Sequence, residues 1–345
     1  MKWLITGGAG FIGSNTVKAL LEKKYAVVVF DNLSRAGTRQ NLEWLHSLGN
    51  FEFIQGDIRD RDAIHALFSK HQDVDVALHL AAQVAVTTSV THPREDLEIN
   101  LLGTFNLCEA LRLLSPHTIL LNASTNKVYG KMEEIAVVEK NGRYAYQDYP
   151  DGISENQSID FHSPYGCSKG AAEQYVHDYS RIYGLKTVSF RQSCIYGSRQ
   201  FGIEDQGWVA WFIIAALTGQ PLTIYGDGKQ VRDVLWVDDL VDCYLKAVEN
   251  IGTASGQIYN IGGGAENTLS LLELISVIKE YLEKNIDYSF QPWRPGDQPV
   301  YISDIKKANN AFGWKPRTPK STGLVRLIQW VEQEKQLFTA LPASR

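Results

Sequence analysis

The chain has 345 residues, 44% apolar, 11% aromatic and 21% charged, a globular composition that excludes a disordered chain. Its 39 acidic and 34 basic residues leave a net charge of −5, which argues against a nucleic-acid backbone as partner but admits a small anionic ligand held by local arginines. The longest apolar run, 208–217, is too short to span a bilayer, and the strand-like start at residue 2 argues against a signal peptide, so a cytoplasmic location is expected.

Runs at 2–6, 26–31, 51–55, 74–79, 118–122 and 187–191 read as buried parallel strands. Helical patterns at 10–23, 60–70, 93–114 and 163–183, with a shorter one at 41–47, separate them. This alternation predicts an α/β fold with a doubly wound parallel sheet. Beyond residue 191 glycines and prolines crowd the chain. Helices are expected there at 206–218, 238–249, 269–283, 304–311 and 319–333. We therefore expect residues 1–191 to form a large domain, rejoined by 231–260. Residues 192–230 and 261–345 would build a smaller C-terminal lobe, with the ligand between the two.

Gly7-Gly8-Ala9-Gly10-Phe11-Ile12-Gly13 follows the first strand and opens a helix. Gly7 permits a tight turn, Gly10 a close approach of backbone to a pyrophosphate, and Gly13 close helix packing. The free N–H groups of the helix start suit phosphate. The second strand ends in Asp31, eighteen residues past Gly13. A carboxylate there binds the adenosine ribose and repels a 2′-phosphate, which favours NAD over NADP. Arg35 pulls the other way, since it could receive that phosphate. The Gly-x-x-Gly-x-x-Gly spacing resembles the short-chain dehydrogenase/reductase superfamily, whose domain is a Rossmann fold. The resemblance implies that Phe11, Ile12, Asn32, Ser34 and Arg35 join the cofactor site. It likewise implies Asp57 and Ile58 at the adenine edge, and Leu80, Ala81, Ala82 and Gln83 beside the phosphates and nicotinamide ribose. Asn100 matches a helical asparagine of the same superfamily.

Tyr165-Gly166-Cys167-Ser168-Lys169 puts a phenol and an ammonium on one helix face. A free phenol titrates near 10, and lowering it by about three pH units takes roughly 4 kcal/mol. A nearby lysine and an oxidised nicotinamide would supply much of that. In Ser124-Thr125-Asn126-Lys127-Val128-Tyr129-Gly130, the family pattern gives Thr125 the task of hydrogen-bonding the reacting oxygen, an oxyanion-type role. Ser124 reads as a buried hydroxyl bonded to backbone. Relatives that dehydrate nucleotide sugars carry Thr-Asp-Glu-Val-Tyr-Gly here, because elimination needs an acid and a base. Asn126 and Lys127 supply neither carboxyl, so 4,6-dehydration is not expected. A decarboxylase would also need the missing glutamate. Hydride transfer with one alcohol proton remains.

Three loop arginines, Arg199, Arg232 and Arg294, suit a diphosphate if their loops converge. Ser124 to Gly130, Asp160 to Gly170, and Arg199-Gln200-Phe201 with Asp205-Gln206-Gly207-Trp208, together with Gln83 to Ser89, resemble the CDP-paratose/CDP-tyvelose 2-epimerases. That resemblance implies a held NAD, an oligomer (dimer or tetramer), and inversion of a hexose C2 hydroxyl through a 2-keto sugar. It implies substrate contacts from Gln83, Thr125, Arg199, Gln200, Gln206, Trp208, Arg232, Arg294 and Asp297, with catalysis by Thr125, Tyr165 and Lys169. Cys194 stands where many epimerases carry asparagine and reads as a packed residue. The four cysteines are scattered, so no metal is expected. The alternatives are a C4-epimerase of UDP-sugars, a 2-epimerase of another nucleotide sugar such as GDP-glucose or GDP-mannose, and an NAD(P)-binding redox-sensing regulator. A regulator has no use for Thr125, Tyr165 and Lys169 together.

Overall fold

The computed structural model describes residues 1–294 and 296–339. Strands β1 (Lys2–Thr6), β2 (Ala26–Asp31), β3 (Glu52–Gln55), β4 (Val76–His79), β5 (Ile119–Thr125), β6 (Thr187–Gln192) and β7 (Gln257–Ile261) form one sheet in the order β7-β6-β5-β4-β1-β2-β3. Every pairing in it is parallel. Alternate side chains serve opposite faces. Trp3, Ile5 and Val29 pack toward helix α1 (Phe11–Glu22) and a later helix at Val237–Glu249, whereas Leu4, Val28 and Leu120 pack toward Phe68, Leu107 and Val176. With both faces covered, the strands are apolar throughout, which is why they read so clearly in the sequence. The strand order reverses between β1 and β4, and such a switch point opens a crevice at the carboxyl ends.

Two departures from the expected elements shape that crevice. β5 runs to Thr125, three residues past the expected end, because Ser124 and Thr125 pair with Arg191 and Gln192 of β6. The expected helix 93–114 is a short helix at Pro93–Leu97, a π-helical turn at Glu98–Leu102 and a helix at Gly103–Leu114. The π turn holds Asn100 inward, 1% exposed. Gly103 lets this segment seat on Ile58, since an added Cβ would stand 2.7 Å from that side chain.

Helix α2 (Pro164–Tyr183) is capped by Ser163, whose side chain accepts from the Gly166 N–H. Beyond β6, helix α3 (Trp208–Thr218) is apolar on nearly all sides and sits in a separate core with Leu274, Ile278, Leu327 and Ile328. Val231–Asp233 pairs with Thr268–Ser270 and Val300–Tyr301 beside this core, whereas β7 closes the large sheet. No described helix is long and apolar enough to cross a membrane.

Candidate active site

Two cavities meet at the strand ends. The first, of about 560 Å³, opens over the β1–α1 turn, and the second, of about 530 Å³, lies between the ends of β5 and β6 and helix α3. Phe11, Ile12, Ser124, Tyr165 and Gln192 line both. A ligand in one can therefore touch a ligand in the other.

The glycine turn is shaped by close approach. Gly7 has φ +71°, and an added Cβ would stand 2.7 Å from the Ala81 nitrogen, while one on Gly13 would stand 2.3 Å from the Gly7 oxygen. Gly10 is different: its Cβ would meet only the Gly7 oxygen, at 3.1 Å, on the cavity side. As N-cap of α1 it offers no side-chain cap, and the first turn carries no acid, so the helix start is free to receive an anion. Asp31 accepts from the Ala9 N–H at 3.0 Å and the Leu33 N–H at 2.8 Å, tying β2 to the turn. Burial raises its pKa, against those backbone donors.

Asn32 donates to Asp57 at 2.9 Å. Asp57 is held well below the usual carboxylate range, chiefly by its hydrogen bonds from the Arg59 guanidinium. Arg35 reaches across to Gln206, with Nη2 2.7 Å from Oε1, so its guanidinium is engaged with the opposite wall. Ser34, Ile58, Leu80, Ala81, Ala82 and Gln83 complete the lining of the first cavity. These residues line one continuous cavity. Asn100 is the exception, standing behind the wall with its Nδ2 toward the Gln83 oxygen (3.0 Å) and Ser168 Oγ (3.1 Å).

Tyr165 and Lys169 sit one turn apart on α2, both buried. Burial pushes the Tyr165 phenol up to about 12, opposed by the Thr125 hydroxyl, aided by Asp96 and opposed by Arg35. Lys169 Nζ donates to the Ala123 carbonyl at 2.5 Å, and burial brings it down to about 8 against the pull of Asp96 and Glu173. Among the described residues the cation acting on the phenol is Arg35. Ser124 does not bond to backbone; its Oγ donates to Glu173 Oε2 at 2.7 Å.

In the second cavity Thr125, Gln200, Gln206, Trp208, Arg232, Arg294 and Asp297 share the lining. Arg294 pairs with Asp205 at 2.9 Å and lies 3.7 Å over the Tyr225 ring. Arg199 does not join them. Its backbone has φ +68° and its carbonyl accepts from Asn41. The guanidinium therefore lies 4.2 Å over Trp44, at the edge of the first cavity. Two arginines converge on the second cavity, not three, and Gln83 also stays in the first. Lys127 lines the second cavity, unforeseen as a ligand group, with Nζ 3.4 Å from the Gly296 oxygen and 4.0 Å from Asp297. Burial and then Arg232 bring its amine down to about 8. Its signal was its place, two residues past Thr125. Cys194 Sγ accepts from Trp208 Nε1 at 3.4 Å, and burial raises its thiol, as suits a packed residue. Among the described residues no cluster of metal-ligating side chains occurs.

Comparison with known proteins agrees with this geometry. The profile of the GDP-mannose 4,6 dehydratase family matches residues 4–326. A CDP-paratose 2-epimerase of Salmonella typhi is 47% identical over 96% of this chain and 99% of that one. A UDP-glucose 4-epimerase of Thermotoga maritima, solved with UDP-glucose, is 32% identical with a TM-score of 0.83 over 96% of this chain and 99% of that one. A UDP-glucose 4-epimerase of Thermus thermophilus, solved with NAD, is 32% identical with a TM-score of 0.82 over 97% and 100%. With this fold, glycine turn and Thr-Tyr-Lys junction, the chain belongs to the GDP-mannose 4,6 dehydratase family of nucleotide-sugar epimerases and dehydratases, enzymes of the short-chain dehydrogenase/reductase fold.

Proposed function

We propose that this enzyme inverts C2 of a nucleotide-activated hexose, of the CDP-paratose to CDP-tyvelose type, using NAD. The observation that carries the reading is the junction of the two cavities. It holds Thr125, Tyr165 and Lys169 together but no carboxylate at positions 126 and 127. The Salmonella relative supports C2 and cytidine over other choices. The UDP-glucose 4-epimerases supply the competing reading, with the same chemistry two ring positions away.

Gly7, Gly10 and Gly13, the uncapped start of α1, and Asp31 fit a dinucleotide, so the first cavity is read as its seat. NAD held there would supply the hydride acceptor and, once reduced, the hydride donor for the sugar carbon. Tyr165 takes the C2 hydroxyl proton as base and later gives it back. Thr125 steadies that oxygen throughout. Lys169, which lines the first cavity, would hold the nicotinamide ribose and set charge beside the phenol. Arg232 and Arg294 hold the diphosphate while the flat 2-keto sugar turns over. Arg199, over Trp44 at the edge of the first cavity, would serve the cofactor end. Self-association belongs to the same reading: Leu97, Leu102, Phe105, Tyr175, Ile182 and Tyr183 lie exposed on the helical segments 93–114 and 164–183. The solution mass by light scattering tests it.

Turnover of CDP-hexoses in deuterium oxide tests the reaction. Product without deuterium at C2 is expected, because the carbon-bound hydrogen never mixes with solvent. Heavy C2 labelling, or a 4-keto-6-deoxy product formed at turnover rates, would overturn the assignment. Asp31→Ala is expected to weaken NAD binding by about 10–100-fold, the loss of a charge-assisted hydrogen bond. Calorimetric titration measures this, and a native preparation carrying mainly NADP would contradict the cofactor choice.

A further inference from the structure

The Asp96 carboxylate is 1% exposed and touches three elements of the site, with no basic side chain among the described residues bonded to it. Its Oδ1 accepts from Gln83 Nε2 at 2.8 Å and Asn100 Nδ2 at 3.1 Å, and its Oδ2 from Ser168 Oγ at 2.5 Å. Gln83 belongs to the loop after β4 that walls the first cavity, Asn100 to the π turn, and Ser168 to the turn of α2 between Tyr165 and Lys169.

We propose that Asp96 is a positioning residue for the reaction: its carboxylate locks these three elements together and sets a fixed negative charge behind the Tyr165–Lys169 pair. A buried carboxylate lacking a cation in contact is costly. Three donors moderate that cost, and the field it creates falls on whatever titrates nearby. The groups facing the pair are Arg35 from the loop after β2, Asp96 from the Pro93–Leu97 helix, Glu173 from α2 itself and His79 at the end of β4. His79 is neutral, clamped between Thr6 and Thr104. Asp96 is the acid common to both members of the pair. Its charge keeps Lys169 an ammonium and opposes phenolate at Tyr165.

The network permits a clean substitution. In Asp96→Asn, the amide oxygen keeps both donors from Gln83 and Asn100. The amide nitrogen donates to Ser168 Oγ, whose hydrogen turns to the Tyr165 carbonyl, already 3.2 Å away. Only the charge is removed.

The inference rests on the proposed roles of Tyr165 and Lys169, so the decisive measurement needs no substrate. In ¹⁵N-lysine-labelled protein, with the signal assigned through Lys169→Arg, Lys169 should titrate near about 8. In Asp96→Asn it should titrate lower by about one pH unit, with the thermal midpoint within about 2 °C of the parent. Asp96→Ala, which strands three donors, should lose several degrees. With CDP-paratose as probe, both limbs of the kcat profile should move to lower pH in Asp96→Asn. A Lys169 titration unmoved by Asp96→Asn would overturn the proposal. A shifted titration in protein that turns over no CDP-hexose would uphold it and sink the substrate assignment instead.

Discussion

Tyr165→Phe is expected to lower kcat by about 10²–10⁴ while KM stays within a few-fold, since a base acts in the transition state and contributes little to ground-state binding. The ring is 8% exposed and its backbone N–H is held by Ser89 Oγ at 3.1 Å, so phenylalanine keeps the packing and removes only the oxygen. With that phenol at about 12, phenolate is scarce at neutral pH. A cation brought against it lowers that value. Rate should therefore rise with pH as the base deprotonates. It should fall again once Lys169, at about 8, loses its ammonium. Steady-state kinetics from pH 6 to 10 would show both limbs in the parent, and the acid limb should vanish in the variant. A Tyr165→Phe enzyme keeping more than about a tenth of parental kcat would remove the phenol from the mechanism.

The sequence made the sheet legible where chemistry is local. A buried parallel strand must be apolar on both faces, and six such runs stand out between amphipathic helices. The glycine turn, Asp31 and the Tyr165–Lys169 spacing are equally local. What escaped are contacts set by distant chain segments. Arg199 looked like Arg232 and Arg294, yet a left-handed backbone and the Asn41 amide turn it toward Trp44. The partner of Ser124 is a carboxylate 49 positions away, invisible to any motif. Asn100 matched a helical asparagine, but the π turn that carries it faces the back of the wall. Lys127 reads only as the replacement of a carboxylate, because nothing in its neighbours shows that Gly296 and Asp297 come against it.

That buried carboxylate underlies the second large effect. Glu173 follows Tyr165 and Lys169 at four-residue steps, so all three share one face of α2. Its side chain is fully buried and pairs with Arg191, 5% exposed, at 2.7 Å. Arg191 in turn donates to the Tyr129 hydroxyl at 2.9 Å, which donates to Asn260 at 2.7 Å. Glu173→Ala leaves a guanidinium uncompensated in the core and Ser124 without its acceptor. Removing one partner of such a pair costs about 3–5 kcal/mol, visible as a lower urea midpoint. Glu173→Met with Arg191→Met should recover much of the loss, since apolar side chains of similar volume often match a buried pair. Recovery should stop short of full, because Tyr129 loses its donor. A single variant within about 1 kcal/mol of the parent, or a double variant no more stable than the single, would show that the pair is not a buried charge held by its partner. The double variant also separates stability from catalysis. Arg191 lies on β6 opposite Ser124 of β5, so the pair locks α2 to the neighbour of the strand that carries Thr125, and the Ser124–Glu173 bond ties it to that strand directly. Loss of that lock should misplace Thr125 against Tyr165 and lower kcat even where the fold is restored, because catalytic groups tolerate displacements well under 1 Å.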